Sequence, residues 1–439
     1  MRDHGRELSR RRRRPHIGRA PHEQLARRRR VRPQRFSLVA LLAVVGPGML
    51  AGLSDDDPAG ITTYSILGAD YGYRLLWVLT ISTAALVVFH ELAVRTGVVT
   101  GKGLIALMRA RYGLRLTAVP LSALVLANLG TLCAEFAGIA AGGELLGGVP
   151  RWVSVPVAAF AVSTLVLRGS FHRVEHVLLA LSAVFATYVV AGFLAHPDWG
   201  AAARGLVVPS PPHSRHGLLV VVATVGTTLA PWGLAFVQSY AVDKRLRVVD
   251  LRYERIDVVV GAVMTGVIGF FIVIACAATL HVTGTSIDDA QDAARALEPL
   301  AGSLASTLFG VGFVGAALLA AAIVPLSTAY SIAEGFDEPS TVDDRFGQAR
   351  LFYCAYGVLV AIAAGLVLIP AAPLVPILFL SQALNAVLLL AILPFMRHVA
   401  ADPAIMGDER LSRSDRIATA AVIALIAISV AVLAALSIA

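Results

Sequence analysis

The chain has 439 residues, of which 57% are apolar and only 15% charged. A soluble domain carries about 25% charged residues, so this chain lacks the polar surface to face water, and apolar runs of helical length make it an all-α integral membrane protein. Its net charge of +8 is local: residues 1–36 hold 14 Arg against Asp3, Glu7 and Glu23, and the remainder is slightly acidic. Without a folded module behind that arm to read bases, a nucleic-acid partner is not expected.

Residues 1–36 (RELSRRRRRPH, then LARRRRVRP) have no apolar periodicity and read as a disordered basic tail on the cytoplasmic side, resting on anionic headgroups of the lipid bilayer. No cleavable signal is apparent, because the first apolar run begins near Phe36 and continues into the first span. Residues 37–439 form the membrane domain. Apolar runs long enough to cross a bilayer fall at about 37–68, 75–97, 115–145, 151–168, 174–195, 217–242, 256–281, 304–333, 351–369, 372–396 and 417–438, eleven in all. With the tail inside, the inner loops carry 32 of the 37 Lys and Arg; without the tail the ratio is still 18 to 5. The positive-inside rule then places the N-terminus in the cytoplasm and the C-terminus outside a plasma membrane. Pro120 and Pro394 read as simple helix kinks. Cys133, Cys276 and Cys354 sit in apolar segments at no ligand spacing and read as packing residues, and 334–344 (EGFDEPSTVDD) as a solvated connector.

The first and sixth spans are unlike the others. In the first, VALLAVVGPGMLAGLS meets Asp55, Asp56, Asp57, Pro58, Ala59 and Gly60 before resuming as ITTYSILGADYGY. In the sixth, LLVVVATVGTTL meets Ala230, Pro231, Trp232 and Gly233 before LAFVQSYAV. A mid-span proline frees backbone carbonyls from the helical ladder, and such groups survive at that depth only where they are buried in protein or line a polar cavity. Interrupted spans at matching positions of two halves point to an inverted-repeat transporter with a midplane site. The repeats are five plus five spans, about 37–195 and 217–397, with the last helix, 417–438, appended.

Three carboxylates at that depth cost about 2.5–3.5 kcal/mol each on the lenient insertion scale, so they require a cation, a proton or water. Freed carbonyls plus carboxylates make an anionic all-oxygen pocket, suited to a hard divalent ion. Neighbouring aspartates point about 100° apart, so Asp55 and Asp56 cannot all face one ion with Asp57, and at least one lines the cavity. Thr227 and Thr228 either offer an oxygen to bound water or back-bond to their own helix. His90-Glu91 begins like a zinc-protease motif, but Val94 stands where the second histidine would be, and Gly97 to Lys102 do not make a phosphate loop. The protein is not expected to be an enzyme and needs no cofactor.

The segments GPGMLAGLSDDDPAG, ADYGYRLLWVL, LAVRTGVVTGKGL, AEFAGIAAGGELLGGVP and FLSQALNAVLLLAILPF resemble the Nramp family of divalent metal transporters, over about residues 44–397. The resemblance implies a LeuT-like fold with an eleventh helix, puts Asp57 on the family's metal-binding aspartate and matches Gln382 to a family glutamine near the metal; Asn385 lies one turn further on roughly the same face. Family members that carry Mn²⁺ and Fe²⁺ have Asn and Met where this chain has Gly60 and Ala230. Losing the soft thioether removes discrimination against hard ions, and the smaller side chains widen the pocket, as in the Nramp-related magnesium transporter branch. The family's third-span Asp and Glu correspond to Leu132 and Glu135, and its sixth-span histidines to Trp232 and Val237. The expected function is therefore uptake of Mg²⁺, with Mn²⁺ second, by alternating access without proton coupling, since a dication gains about 4.6 kcal/mol at 100 mV. The alternative is a proton-coupled Mn²⁺/Fe²⁺ transporter. Oligomeric state is not legible.

Overall fold

The computed structural model describes residues 47–167, 186–288, 290–297, 302, 305–338 and 346–438. The expected basic tail, the beginning of the first span (37–46), residues 174–185 of the fifth and most of the acidic segment 334–344 lie outside the described residues. Every regular element among the described residues is helical.

The first span is two helices, α1 (Pro47–Asp55) and α2 (Pro58–Tyr71), and the sixth is likewise α8 (Arg215–Thr228) and α9 (Pro231–Asp243). In both, proline occupies the first turn of the second helix, where its missing N–H costs nothing and its fixed φ suits the helix start. Between them run α3 (Leu76–Thr100), α4 (Leu104–Leu145), α5 (Arg151–Leu167), α6 (Ala186–Leu194) and α7 (Trp199–Val207). After them come α10 (Leu251–Thr283), α11 (Ala290–Ala294), α12 (Ala305–Phe336), α13 (Arg350–Val367), α14 (Leu374–Ala401), α15 (Pro403–Met406) and α16 (Arg413–Ile438).

Two expectations change, at Glu334 and Cys354. The α4 range divides at the non-helical Gly113 (φ 77, ψ 169) into a short helix, 104–112, and a long one, 114–145, which coincides with the third span expected from about 115 and contains Pro120. That backbone conformation excludes side-chain-bearing residues. The connector after the fifth span contains α7, capped by the Asp198 side chain accepting from Ala201 N at 2.9 Å. Glu334 does not belong to a solvated connector: it is a buried residue of α12, accepting from Ile105 N at 3.2 Å and Ser239 Oγ at 2.6 Å. A carboxylate there satisfies the otherwise orphaned amides at the start of α4. Cys354 is exposed on α13 rather than packed inside, while Cys133 and Cys276 are buried.

The polarity pattern suits a bilayer. Trp152, Val157, Phe160, Val263, Val358 and Ile362 face outward, whereas Asp55, Asp56, Asp57, Glu135, Gln382 and Asn385 are buried. Between apolar lipid and an apolar helix face there is no hydrophobic drive, so close packing by small residues carries the association. The long α4 packs along α12 and α14, and α10 packs against α1 and α2. Mostly exposed, α16 lies at the edge against α14, α8 and α3. The tightest seam is α8 on α14: a Cβ at Gly226 would run into the Gln382 carbonyl oxygen and come within 2.8 Å of Ala386 N. Gly226→Ala is expected to cost about 1–3 kcal/mol of stability by overpacking, read as a lowered unfolding temperature in detergent, whereas Gly357→Ala, with open space around it, leaves that temperature unchanged.

Candidate functional site

The two helix breaks face each other in the middle of the bundle. Asp57 is the N-cap of α2 (φ −73, ψ 171), and its Oδ1 accepts from Gly60 N at 2.6 Å. Ala230 holds the same place before α9 but has no capping side chain. The tip of α1 ends at Asp55 and that of α8 at Thr228, so two carbonyl-bearing C-termini and two amide-bearing N-termini meet there. The breaks are tied directly by Tyr64 Oη and Thr228 Oγ1, 3.0 Å apart.

At their meeting point Gly60 leaves a small oxygen-lined space. A Cβ built there would lie 2.7 Å from the Asp55 carbonyl oxygen, 3.3 Å from Asp57 Oδ1 and 3.3 Å from Thr227 Oγ1. The Thr227 hydroxyl has no hydrogen-bond partner although the residue is buried. The threonines thus divide the two roles expected of them: Thr228 back-bonds to the Thr224 carbonyl at 2.9 Å, and Thr227 faces the break. Carbonyl, carboxylate and hydroxyl oxygens are the donor set of hard cations. Among the described residues no three His, Cys, Asp or Glu side chains converge as a dedicated cage. An ion held here takes its remaining ligands from backbone and water.

Other predicted residues stand around this point. Glu135, from α4, lies against Asp57, and neither of its oxygens meets a protein donor. It is aimed there because Gly138, one turn on, seats the ring of Pro58, which a Cβ at 138 would meet at 2.5 Å. Gln382 and Asn385 form one network: Asn385 Nδ2 donates to Gln382 Oε1 at 2.9 Å and to Thr131 Oγ1 at 3.0 Å. Asp55 and Asp56 are 1% and 0% exposed with all four carboxylate oxygens unpartnered, so neither is neutralised by a protein cation. Trp232 is buried behind the break, its carbonyl accepting from Ser327 Oγ at 2.8 Å. The break residues are closed off from solvent, Asp57 being 3% exposed. A cavity of about 790 Å³ opens elsewhere, at the α3–α4 loop between Lys102, Asp243 and Glu334.

Residues 48–436 match the family profile described as natural resistance-associated macrophage protein-like. The chain belongs to the Nramp family. Relatives named divalent metal cation transporter MntH are 32% identical in Burkholderia ambifaria, over 64% of this chain and 66% of the relative, and 33% identical in Ralstonia nicotianae, over 63% and 65%. The chain therefore spans slightly less than two thirds of these relatives' own lengths. Among solved structures, the Eremococcus coleocola manganese transporter superposes with a TM-score of 0.73 at 21% identity, covering 92% of this chain and 87% of the other. The nucleobase-cation-symport-1 family transporter Mhp1 follows at 0.59 and 16%, covering 85% and 81%. The fold is the Nramp, LeuT-like one.

Sequence reasoning passed over Tyr64, Thr131 and Ser327, which hydrogen-bond to residues of the candidate site. Tyr64 is seven residues after Asp57 and Thr131 four before Glu135, so helical spacing from the expected site residues would have found them. The space at Gly60 gives a direct test. Gly60→Ala pushes a methyl against the Asp55 carbonyl and is expected to weaken Mn²⁺ binding to the purified protein at least fivefold by titration calorimetry; unchanged affinity would place the ion elsewhere.

Proposed function

We propose that this Nramp-family chain carries divalent metal ions across the plasma membrane by alternating access, with Mg²⁺ as its first substrate and Mn²⁺ as its second. The observation that carries this reading is the space at Gly60, bounded by the Asp55 carbonyl, Asp57 Oδ1 and Thr227 Oγ1. All its ligand atoms are oxygen, and none is soft. Mg²⁺ sheds water reluctantly and usually reaches proteins through one or two carboxylates plus waters, which fits a pocket where side chains alone cannot complete a coordination shell. The names of the relatives support divalent metal as the substrate class, and the preference for Mg²⁺ rests on Gly60 and Ala230.

The orientation has the N-terminus in the cytoplasm and the C-terminus outside, on the Lys and Arg asymmetry. Transport runs down the membrane potential without protons, because Leu132, Trp232 and Val237 supply no titratable group. A second reading, proton-coupled Mn²⁺/Fe²⁺ transport, is favoured by one contact: Glu135 against Asp57 places two carboxyls where a proton could be shared.

Uptake into proteoliposomes under a set potential, with an internal pH dye, separates the two. Mg²⁺ and Mn²⁺ are expected to enter without acidification, and Asp57→Ala to reduce both rates at least tenfold. Acidification in step with Mn²⁺, with no Mg²⁺ uptake, would establish the second reading. Ala230→Met, which adds a thioether, is expected to raise the Mn²⁺ to Mg²⁺ uptake ratio at least fivefold; an unchanged ratio would remove Ala230 from the selectivity argument.

A further inference from the structure

His90 lies ten residues before the end of α3, with no solvent exposure and no hydrogen-bond partner at either ring nitrogen. A histidine buried for structural reasons places at least one ring nitrogen against a carbonyl, carboxylate or hydroxyl, because an unpaired buried polar group is costly. His90 has none of these. Asp55, at the end of α1, is equally buried, and both its carboxylate oxygens are unpartnered. The two groups face one opening. A Cβ built at Gly233, in the first turn of α9, would stand 3.2 Å from His90 Nε2 and 3.7 Å from Asp55 Oδ1, and these are its nearest neighbours beyond its own helix. Gly233 thus leaves a notch between an imidazole nitrogen and a carboxylate oxygen, each deeply buried.

The notch lies to one side of the Asp57 pocket. Gly48 N, in the first turn of α1, donates to Asp257 near the start of α10, and Gln238 of α9 donates to the Lys102 carbonyl in the α3–α4 loop. The α1 start, the α9 end and the α3–α4 loop therefore share a face, the one assigned above to the cytoplasm. Asp57 opens α2, which runs towards the opposite face, whereas Asp55 and Gly233 belong to α1 and α9, which lie between the break and the loop face, and His90 sits on the full-length α3 ten residues before that loop. Asp55 and Gly233 therefore lie on the loop-face side of the break that Asp57 closes.

We propose that Asp55 and His90, across the notch at Gly233, form a second station for the hydrated divalent cation, between the Asp57 pocket and the cytoplasmic face. The carboxylate supplies charge, and the imidazole nitrogen accepts from a water of the ion or binds the ion itself. With two protein groups, the station keeps most of the ion's water and holds it loosely, which suits a step on an exit route. This inference rests on the transport reading, which it deepens.

The test uses the full chain in proteoliposomes, with Mg²⁺ uptake under a set potential, and calorimetric Mn²⁺ binding to the same preparations. His90→Leu and Gly233→Ala are expected to lower the maximal uptake rate at least tenfold while KM and the calorimetric Kd stay within threefold of the unaltered protein. His90→Gln, which keeps a polar acceptor, retains at least a third of the rate. Uptake by His90→Leu at the unaltered rate would overturn the station, as would an equal loss in His90→Gln and His90→Leu, or a rate loss matched by loss of Mn²⁺ affinity. Failure of the unaltered protein to carry any divalent ion would overturn the transport reading and the station with it; uptake that Asp57→Ala abolishes but His90→Leu leaves intact would overturn the station alone.

Discussion

Two helices that stop in mid-bilayer and start again leave carbonyl oxygens without amide partners, and the centre of this protein is arranged around those oxygens. Hydrocarbon offers no replacement donor. The ends of α1 and α8 are instead turned towards each other, so that the Asp55 carbonyl and the Thr227 hydroxyl face the same space beside Gly60. A C-terminal helix end also carries partial negative charge. Two such ends at one point form a place where a cation is stabilised and an anion is not.

The carboxylates sharpen that preference. Asp57 is held by capping α2, which fixes its Oδ1 on Gly60 N. Asp55, Asp56 and Glu135 find no protein donor or cation. Arg95, five residues after His90 on α3, is engaged with Glu91 at 3.1 Å and with Asp415 at 3.4 Å. Charge at the centre is left uncompensated by side chains, whereas the charge of Arg95 is paired. That division is expected where a transported ion, and not a structural partner, supplies the missing positive charge.

Much of this arrangement was legible in the sequence because it violates membrane rules. Asp55, Asp56 and Asp57 before Pro58, and Pro231 at the matching place five spans later, cannot belong to ordinary apolar helices, so the breaks and their pairing followed. The family resemblance added Gln382 and the expectation at Gly60 and Ala230. Contacts across elements were not legible. Nothing in 334–344 distinguishes Glu334, which caps α4 from 228 or more residues away, from the acids after it. His90 read only as the start of an incomplete motif; the placement of Gly233 and Asp55 opposite its unpartnered ring nitrogens is what makes it meaningful. The break at Gly113 was not legible either, because a glycine in such a stretch carries no mark of a positive φ.

Gly113 also divides α4 mechanically. On one side, residues 104–112 are fastened by Glu334 to α12; on the other, residues 114–145 run as a rod along α12 and α14 and carry Glu135 to the site. The joint has open space around it and a φ already positive. A residue without a side chain and without neighbours is where the two halves can turn against each other at least steric cost, so the fastening of 104–112 to α12 need not set the register of the rod that carries Glu135 to Asp57.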